Sequence, residues 1–264
     1  MRRSRFAAYV GSLLLALAAV LTGTGTAHAA EGPYVALGDS YSSGVGAGGY
    51  ISSSGDCKRS TKAYPYLWAA ANSPSSFIFT ACSGARTGDV LASQLTPLTS
   101  ATALVSITIG GNDAGFADVM TTCVLQSDSS CLSRINTAKA YVDSTLPGQL
   151  DNVYSAISSR APNAHVVVLG YPRFYKLGAT CLGLSETKRK AINDAADYLD
   201  TAISKRAANH GFAWGDVRPT FTGHELCSGS AWLHSLNLLN IGESYHPTAA
   251  GQSGGYLPVL NSAA

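Results

Sequence analysis

The chain reads as one α/β domain: a parallel sheet with helices on both faces. Two observations predict this. Five short apolar runs, rich in β-branched or aromatic residues, recur along the sequence, and helical patterns separate them. Strands alternating with helices return parallel to one another and need a helical layer over each face. No composition break or low-complexity linker interrupts the chain after its N-terminal stretch, and roughly 230 residues suffice for one domain with a sizeable core. The expected organisation is therefore a leader over residues 1–29 and a single domain over residues 30–264.

The leader carries Arg2, Arg3 and Arg5, then a leucine- and alanine-rich run over residues 13–21, then Ala27-His28-Ala29. This is the pattern of a secretory signal peptide with an A-x-A cleavage site. Its apolar core is shorter than the ~20 residues a membrane span needs, which favours export over anchoring. The first strand is predicted over 34–37. A polar, Gly-rich stretch over 41–62 reads as a loop, and a helix follows over 63–71. The second and third strands fall at 77–81 and 104–109, and a helix is predicted over 114–122. A longer helical pattern over 135–160 contains Pro147, which breaks or kinks it. The fourth strand, 165–169, leads into a second irregular stretch over 173–184. The clearest helix runs from Glu186 to Asn209, with Ser185 as N-cap, an apolar face of Ile192, Ala195, Ala196, Leu199, Ala202 and Ile203, and Gly211 just past its end. The last strand is 212–214.

In a parallel sheet of this kind ligands bind outside the carboxyl ends of the strands. Ser40, Gly84 and Asn112 follow the first, second and third predicted strands, so one sheet brings them to one edge. Gly38-Asp39-Ser40 places a serine where the chain leaves the sheet. A serine hydroxyl is a poor nucleophile alone and needs a base in reach and donors aimed at the oxyanion formed on attack. Among His165, His210, His224, His234 and His246, the last is the best candidate base. It ends a Gly- and Ser-containing loop just before Pro247, which is able to start a helical segment over 247–251. His165 begins a strand and His210 ends a helix, while His224 and His234 are weaker candidates at the surface or behind the site. Asn112 supplies a neutral amide at a strand end, and Gly84 reads equally well as a turn glycine. Asp39 is expected to hold the turn by accepting backbone N–H bonds.

Taken in order, Gly38-Asp39-Ser40, Gly84 within Cys82-Ser83-Gly84-Ala85-Arg86, Gly110-Gly111-Asn112-Asp113 and Glu243-Ser244-Tyr245-His246-Pro247 resemble the GDSL, or SGNH, family of ester hydrolases. The resemblance runs from about residue 34 to the end and is greatest to the secreted lipases and phospholipases of streptomycetes. It implies a three-layer αβα, flavodoxin-like fold around a central parallel sheet of about five strands. It also implies Ser40 as the nucleophile that forms an acyl-enzyme, and His246 as general base. The oxyanion hole it implies is made of the backbone N–H groups of Ser40 and Gly84 and the side-chain amide of Asn112. No cofactor and no metal are implied. The expected activity is that of a lipase on acylglycerols, with a phospholipase A1 or an acetyl esterase for polysaccharide as alternatives. An inactive binding module on the same fold is the non-enzyme alternative. Where the family pattern has aspartate three residues before the histidine, this chain has Glu243, whose extra methylene alters its reach. The main-chain carbonyl of Ser244 is the other group close enough in sequence to hold His246, and the reading leans to a Ser–His dyad.

The net charge of +2 includes the leader arginines, and no basic run argues for nucleic acid. The expected partner is a lipid ester substrate, with transient contact with lipid aggregates, no obligate protein partner and a monomeric chain. Six cysteines, Cys57, Cys82, Cys123, Cys131, Cys181 and Cys227, all follow the leader. An even number in an exported chain favours three disulfides, and the absence of a Cys-x-x-Cys pair argues against zinc. Fifteen pairings are open to six cysteines. The resemblance implies sequential pairing, Cys57 with Cys82, Cys123 with Cys131, and Cys181 with Cys227. Tyr50, Phe174, Tyr175 and Trp232 are candidates for an apolar groove at the rim of the site.

Overall fold

In the computed structural model, which describes residues 32–264, five strands form one sheet in the order β2-β1-β3-β4-β5, every neighbouring pair parallel. The leader expected over residues 1–29 lies outside the described residues. The strands are β1 (Tyr34–Gly38), β2 (Phe77–Phe79), β3 (Leu104–Thr108), β4 (His165–Leu169) and β5 (Ala213–Gly215). Every residue of β1 and β3 is buried, because helices cover both faces of the sheet's centre. That is why these strands read as continuous apolar runs rather than alternating ones. The edge strand β2 is only partly covered.

The helices, in chain order, are α1 (Ser40–Ser43), α2 (Tyr64–Asn72), α3 (Thr87–Asp89), α4 (Phe116–Leu125), α5 (Asp128–Ser144), α6 (Leu146–Arg160), α7 (Glu186–Asn209), α8 (Arg218–Phe221) and α9 (Leu257–Ala263). From β1 the chain first crosses outward to β2, then doubles back to β3 and continues the other way to β4 and β5. Right-handed crossovers running in opposite directions lie on opposite faces. Accordingly α2 packs with α9 on one face, whereas α5, α6 and α7 pack side by side on the other, with α3 against α6. The reversal falls between β1 and β3, and a crevice opens there at the carboxyl ends of the strands.

Three expectations need refinement or correction. The pattern over 135–160 is broken rather than kinked, into two helices. Thr145 separates α5 from α6, and Pro147 sits in the first turn of α6, where a missing N–H leaves no bond unmade. Helix α5 also begins seven residues earlier than its apolar periodicity suggests, because Ser127 caps it by accepting the Ser130 N–H. Second, Pro247 does not open a helix. It pairs with Leu233 in an isolated antiparallel bridge, and helical winding begins at Ala249, widens over Gly251–Tyr256 and runs into α9. Third, the stretch over 41–62 is not wholly irregular: it opens in α1 and contains a tight turn of helix at Ser52–Cys57. Helix α7 has its expected bounds, with Ser185 accepting the Lys188 N–H and Gly211 at φ 71°.

Three disulfides pair the cysteines sequentially: Cys57–Cys82, Cys123–Cys131 and Cys181–Cys227. The first ties the loop after α1 to the end of β2. The second joins α4 to α5, and the third holds the irregular stretch over 173–184 beside Leu226, which bridges Tyr175.

Candidate active site

Strand β1 ends at Gly38, whose φ of 122° and lack of space leave no alternative residue: a Cβ there would meet the Thr108 carbonyl and the Ser42 hydroxyl. The buried Gln94 closes the strand end, accepting the Gly38 N–H at 2.7 Å and donating to the Gly38 carbonyl at 2.9 Å. Asp39 then caps α1 by accepting the Tyr41 N–H at 2.9 Å, which makes Ser40 the first residue of the helical turn. The Asp39 carboxylate also accepts from the Thr108 hydroxyl at 2.7 Å and from the Tyr171 hydroxyl at 2.5 Å. Burial pushes this carboxyl up to about 6, and the three donors work against that rise.

His246 faces Ser40 across the crevice. Its Nε2 lies 2.7 Å from Ser40 Oγ, and its Nδ1 lies 3.1 Å from the Ser244 carbonyl oxygen. A carbonyl only accepts, so it fixes the proton on Nδ1 and leaves Nε2 as acceptor for the serine hydroxyl. Burial pushes the imidazole down to about 4; the Ser244 carbonyl pulls it back up, and more strongly than the charge of Glu243 does. His246 is half-buried and lines the cleft, and solvent there also opposes the shift. The backbone around the ring is pinned: His234 exchanges hydrogen bonds with Tyr245 and His246, and the Tyr41 hydroxyl donates to the Tyr245 carbonyl at 2.8 Å.

Glu243 turns away from the imidazole. Its carboxylate accepts from the Tyr50 hydroxyl at 2.6 Å, and that hydroxyl accepts the Gly46 N–H at 2.9 Å.

Gly84 lies in a turn at φ 78°, with Ser83 N–H bonded to the Cys57 carbonyl across the disulfide. Asn112 Nδ2 donates to the Ala85 carbonyl at 3.0 Å, so the amide is already oriented by the Gly84 turn. Asp113 locks the two turns together, accepting from the Thr87 N–H at 3.1 Å and the Thr87 hydroxyl at 2.6 Å. Among the described residues the N–H groups of Ser40 and Gly84 meet no acceptor. Ser40, Gly84, Asn112, Ser244 and His246 line one cleft. Neutral donors held at a crevice beside a serine–imidazole pair are what stabilising a developing oxyanion requires.

The remaining histidines lie elsewhere. His165 pairs with the Ala263 carbonyl and His210 with Asp151, His224 stacks on Trp232 at 3.6 Å, and His234 Nε2 bonds the Gly46 carbonyl behind the site. Of the candidate rim aromatics only Phe174 lines a cleft that reaches Ser40. Tyr175 is buried, and Trp232 packs against His224 and Gly254. Three residues that hold the site escaped the sequence reading: Thr108, Asp113 and Tyr171. Tyr171 accepts the Gly111 N–H at 3.2 Å while donating to Asp39, so one hydroxyl links the serine turn to the asparagine turn. It lies two residues past β4, the strand-end position that singled out the other candidates, and that was its available signal.

Residues 36–253 match the GDSL-like lipase/acylhydrolase family. This chain belongs to that family. It is 77% identical to Lipase 1 of Streptomyces coelicolor over 100% of both chains. The crystal structure of a phospholipase A1 from Streptomyces albidoflavus superposes with a TM-score of 0.88 at 70% identity, covering 89% of this chain and 100% of that one. An extracellular lipase from Streptomyces rimosus gives 0.86 at 70% identity, covering 88% and 100%. The five-stranded parallel sheet flanked by helices is thus the GDSL fold. Among the described residues of this GDSL-family chain, no group of three or more His, Cys, Asp or Glu is placed to hold a metal ion, and no helix is long and apolar enough to cross a membrane.

Proposed function

We propose that this GDSL-family chain is a secreted serine ester hydrolase that cleaves acyl esters of lipids, acting on acylglycerols. The observation that carries the reading is the pairing of Ser40 Oγ with His246 Nε2 at 2.7 Å, with Nδ1 tied to a peptide carbonyl. Ser40 attacks the ester carbonyl while His246 takes its proton and returns it to the leaving alcohol; water, activated by the same imidazole, then releases the acyl group. The N–H groups of Ser40 and Gly84 and the amide of Asn112 receive the oxyanion. The Ser244 carbonyl orients the imidazole, so the machinery is a dyad. The family membership and the lipases among the relatives support an ester-hydrolysing role. Phospholipase A1 activity is the second reading, favoured by the 70% identical phospholipase A1.

Lipid contact falls to Leu125, Leu238 and Ile241, strongly exposed at the cleft that holds Ser40, and to Leu239, fully exposed next to Leu238. Every proposed catalytic group comes from one chain and one domain, so a monomer is complete. Secretion rests on the leader pattern and on the extracellular relative from S. rimosus.

The test is hydrolysis of a triacylglycerol, a phosphatidylcholine and acetylated xylan by wild type, Ser40→Ala and Asn112→Ala. The expected result is lipid ester turnover lowered by about 10⁴ or more without Ser40 and by roughly 10²–10³ without the Asn112 amide. Full activity in folded Ser40→Ala, or acetylated xylan as the best substrate, would overturn it.

A further inference from the structure

The backbone ladder between β1 and β3 ends short of the site. Gly38 is paired with Thr108, and the Asp39 N–H, bonded to the Thr108 carbonyl at 3.0 Å, makes the last rung. Ser40 and Asn112 both lie beyond it. Among the described residues no hydrogen bond runs directly from the serine turn, residues 39–43, to residues 109–112. Tyr171 spans that gap. Two residues past β4, it reaches across the end of β3, the strand that separates β4 from β1. Its hydroxyl donates to Asp39 Oδ2 at 2.5 Å and accepts the Gly111 N–H at 3.2 Å. The ring lies so close to the asparagine turn that a Cβ on Gly111 would stand 3.2 Å from Cζ and the hydroxyl oxygen. The phenol is itself held from behind. Its ring meets that of Tyr41 at 90° with centroids 5.0 Å apart, and its backbone N–H is bonded at 2.9 Å to the fully buried Asp200 carboxylate. Burial and the neighbouring Asp39 charge keep the hydroxyl in its neutral, donating form.

We infer that Tyr171 is a positioning residue: by bridging Asp39 and Gly111 it sets the separation between the Ser40 nucleophile and the Asn112 amide. The inference rests on the proposed ester-hydrolase reading and adds what holds the two halves of that site in register. The Ala85 carbonyl and the Asp113–Thr87 bonds tie Asn112 to the Gly84 turn. The phenol ties it to the turn that carries the nucleophile. A displacement of about 1 Å between reacting groups costs up to about 10²-fold in rate. The oxyanion exists only after attack, so a displaced donor lowers kcat and leaves substrate binding alone.

The experiment measures kcat and KM for p-nitrophenyl butyrate in folded wild type, Tyr171→Phe and Thr108→Val, each with and without Asn112→Ala. Tyr171→Phe is expected to lower kcat by about ten- to a hundredfold and to leave KM within about twofold. Once the Asn112 amide is gone there is no donor left to place, so adding Tyr171→Phe to Asn112→Ala is expected to cost less than about threefold more. Thr108→Val removes a different hydroxyl from the same Asp39 carboxylate without touching Gly111, and whatever loss it causes is expected to persist undiminished in the Asn112→Ala background. Should Tyr171→Phe give no folded protein, Gly111→Ala forces the same contact apart from the other side and is expected to show the same coupling to Asn112. A Tyr171→Phe loss that survives in full without the Asn112 amide, a loss carried by KM, wild-type kcat in folded Tyr171→Phe, or equal coupling in Thr108→Val would overturn the inference. Failure of the underlying reading has a different signature: Asn112→Ala alone would then turn over the ester at the wild-type rate, and the inference would fall with it.

Discussion

His246 is held by a peptide oxygen on one side and meets the Ser40 hydroxyl on the other, and this determines how the site should answer to pH. A general base must be neutral to accept a proton. In the role proposed for His246, the imidazole is protonated and inactive below its folded pKa, and above it the base is available. Burial pushes that value down to about 4, with His234 and Lys58 adding to the shift and Ser244 and Glu243 opposing it. The acid limb of kcat/KM on a soluble ester is therefore expected near pH 4, and activity should be flat through the range where an unperturbed imidazole, at about 6.5, titrates. A profile from pH 3 to 8 that rose with a midpoint near 6.5, and kept it in Asp39→Asn, whose carboxyl otherwise titrates at about 6, would show that the ring is not withdrawn from water. In the same assay Glu243→Ala is expected to lose less than about tenfold, because its carboxylate serves Tyr50, whereas His246→Ala loses about 10⁴ or more. Equal and severe losses would make Glu243 a third catalytic member.

At the scale of elements, the turn that carries Gly84 has no regular structure of its own and takes its shape from the Cys57–Cys82 bridge and from Asp113. Closing a loop of 25 residues, the bridge is expected to contribute about 2–4 kcal/mol, so Cys57→Ser with Cys82→Ser should lower the unfolding free energy by that amount in urea. Turnover should fall further than the folded fraction does, since Gly84 loses its anchor. A double variant with wild-type turnover would show that the turn holds itself. Strands and the ends of helix α7 were legible in the sequence because apolar runs and a serine cap announce them. The start of α5 was not, because its first turns are serine-rich and its stability comes from a cap and a disulfide instead of an apolar stripe. Pro247 looked like a helix start, but it bridges Leu233, and its neighbours His246 and Thr248 are bonded to His234 and Trp232. The proposed site residues Ser40, Gly84, Asn112 and His246 were singled out by their motifs, and the structure brings them to one cleft. Tyr171 and Thr108 were not: Tyr171 offered only its strand-end position, and the role of each depends on a hydroxyl group reaching a buried carboxylate across strands, a partner that no spacing along the chain records.

Across the whole molecule, the reversal of strand order between β1 and β3 opens the crevice, and the leucine rim at its mouth extends it outward. Leu238 and Leu239 are 82% and 100% exposed. Covering one such side chain is worth about 1.5–3 kcal/mol, so Leu238→Ser with Leu239→Ser should weaken binding to phosphatidylcholine vesicles by about tenfold or more. Hydrolysis of p-nitrophenyl butyrate should be unaffected. Unchanged co-sedimentation with vesicles would remove the rim from lipid contact.

The three proposed oxyanion donors stand at the ends of β1, β2 and β3, strands that lie side by side in the sheet. Their separation is dictated by a ladder spacing of about 4.8 Å that every parallel sheet shares. The connection between β1 and β2 adds to that placement only through Cys57, whose bridge to Cys82 anchors the Gly84 turn. A lineage carrying this scaffold is therefore free to lengthen, shorten or redecorate α4, α5, α7 and the leucine loop, and so to exchange one ester for another. Its reaction stays constant while its diet drifts.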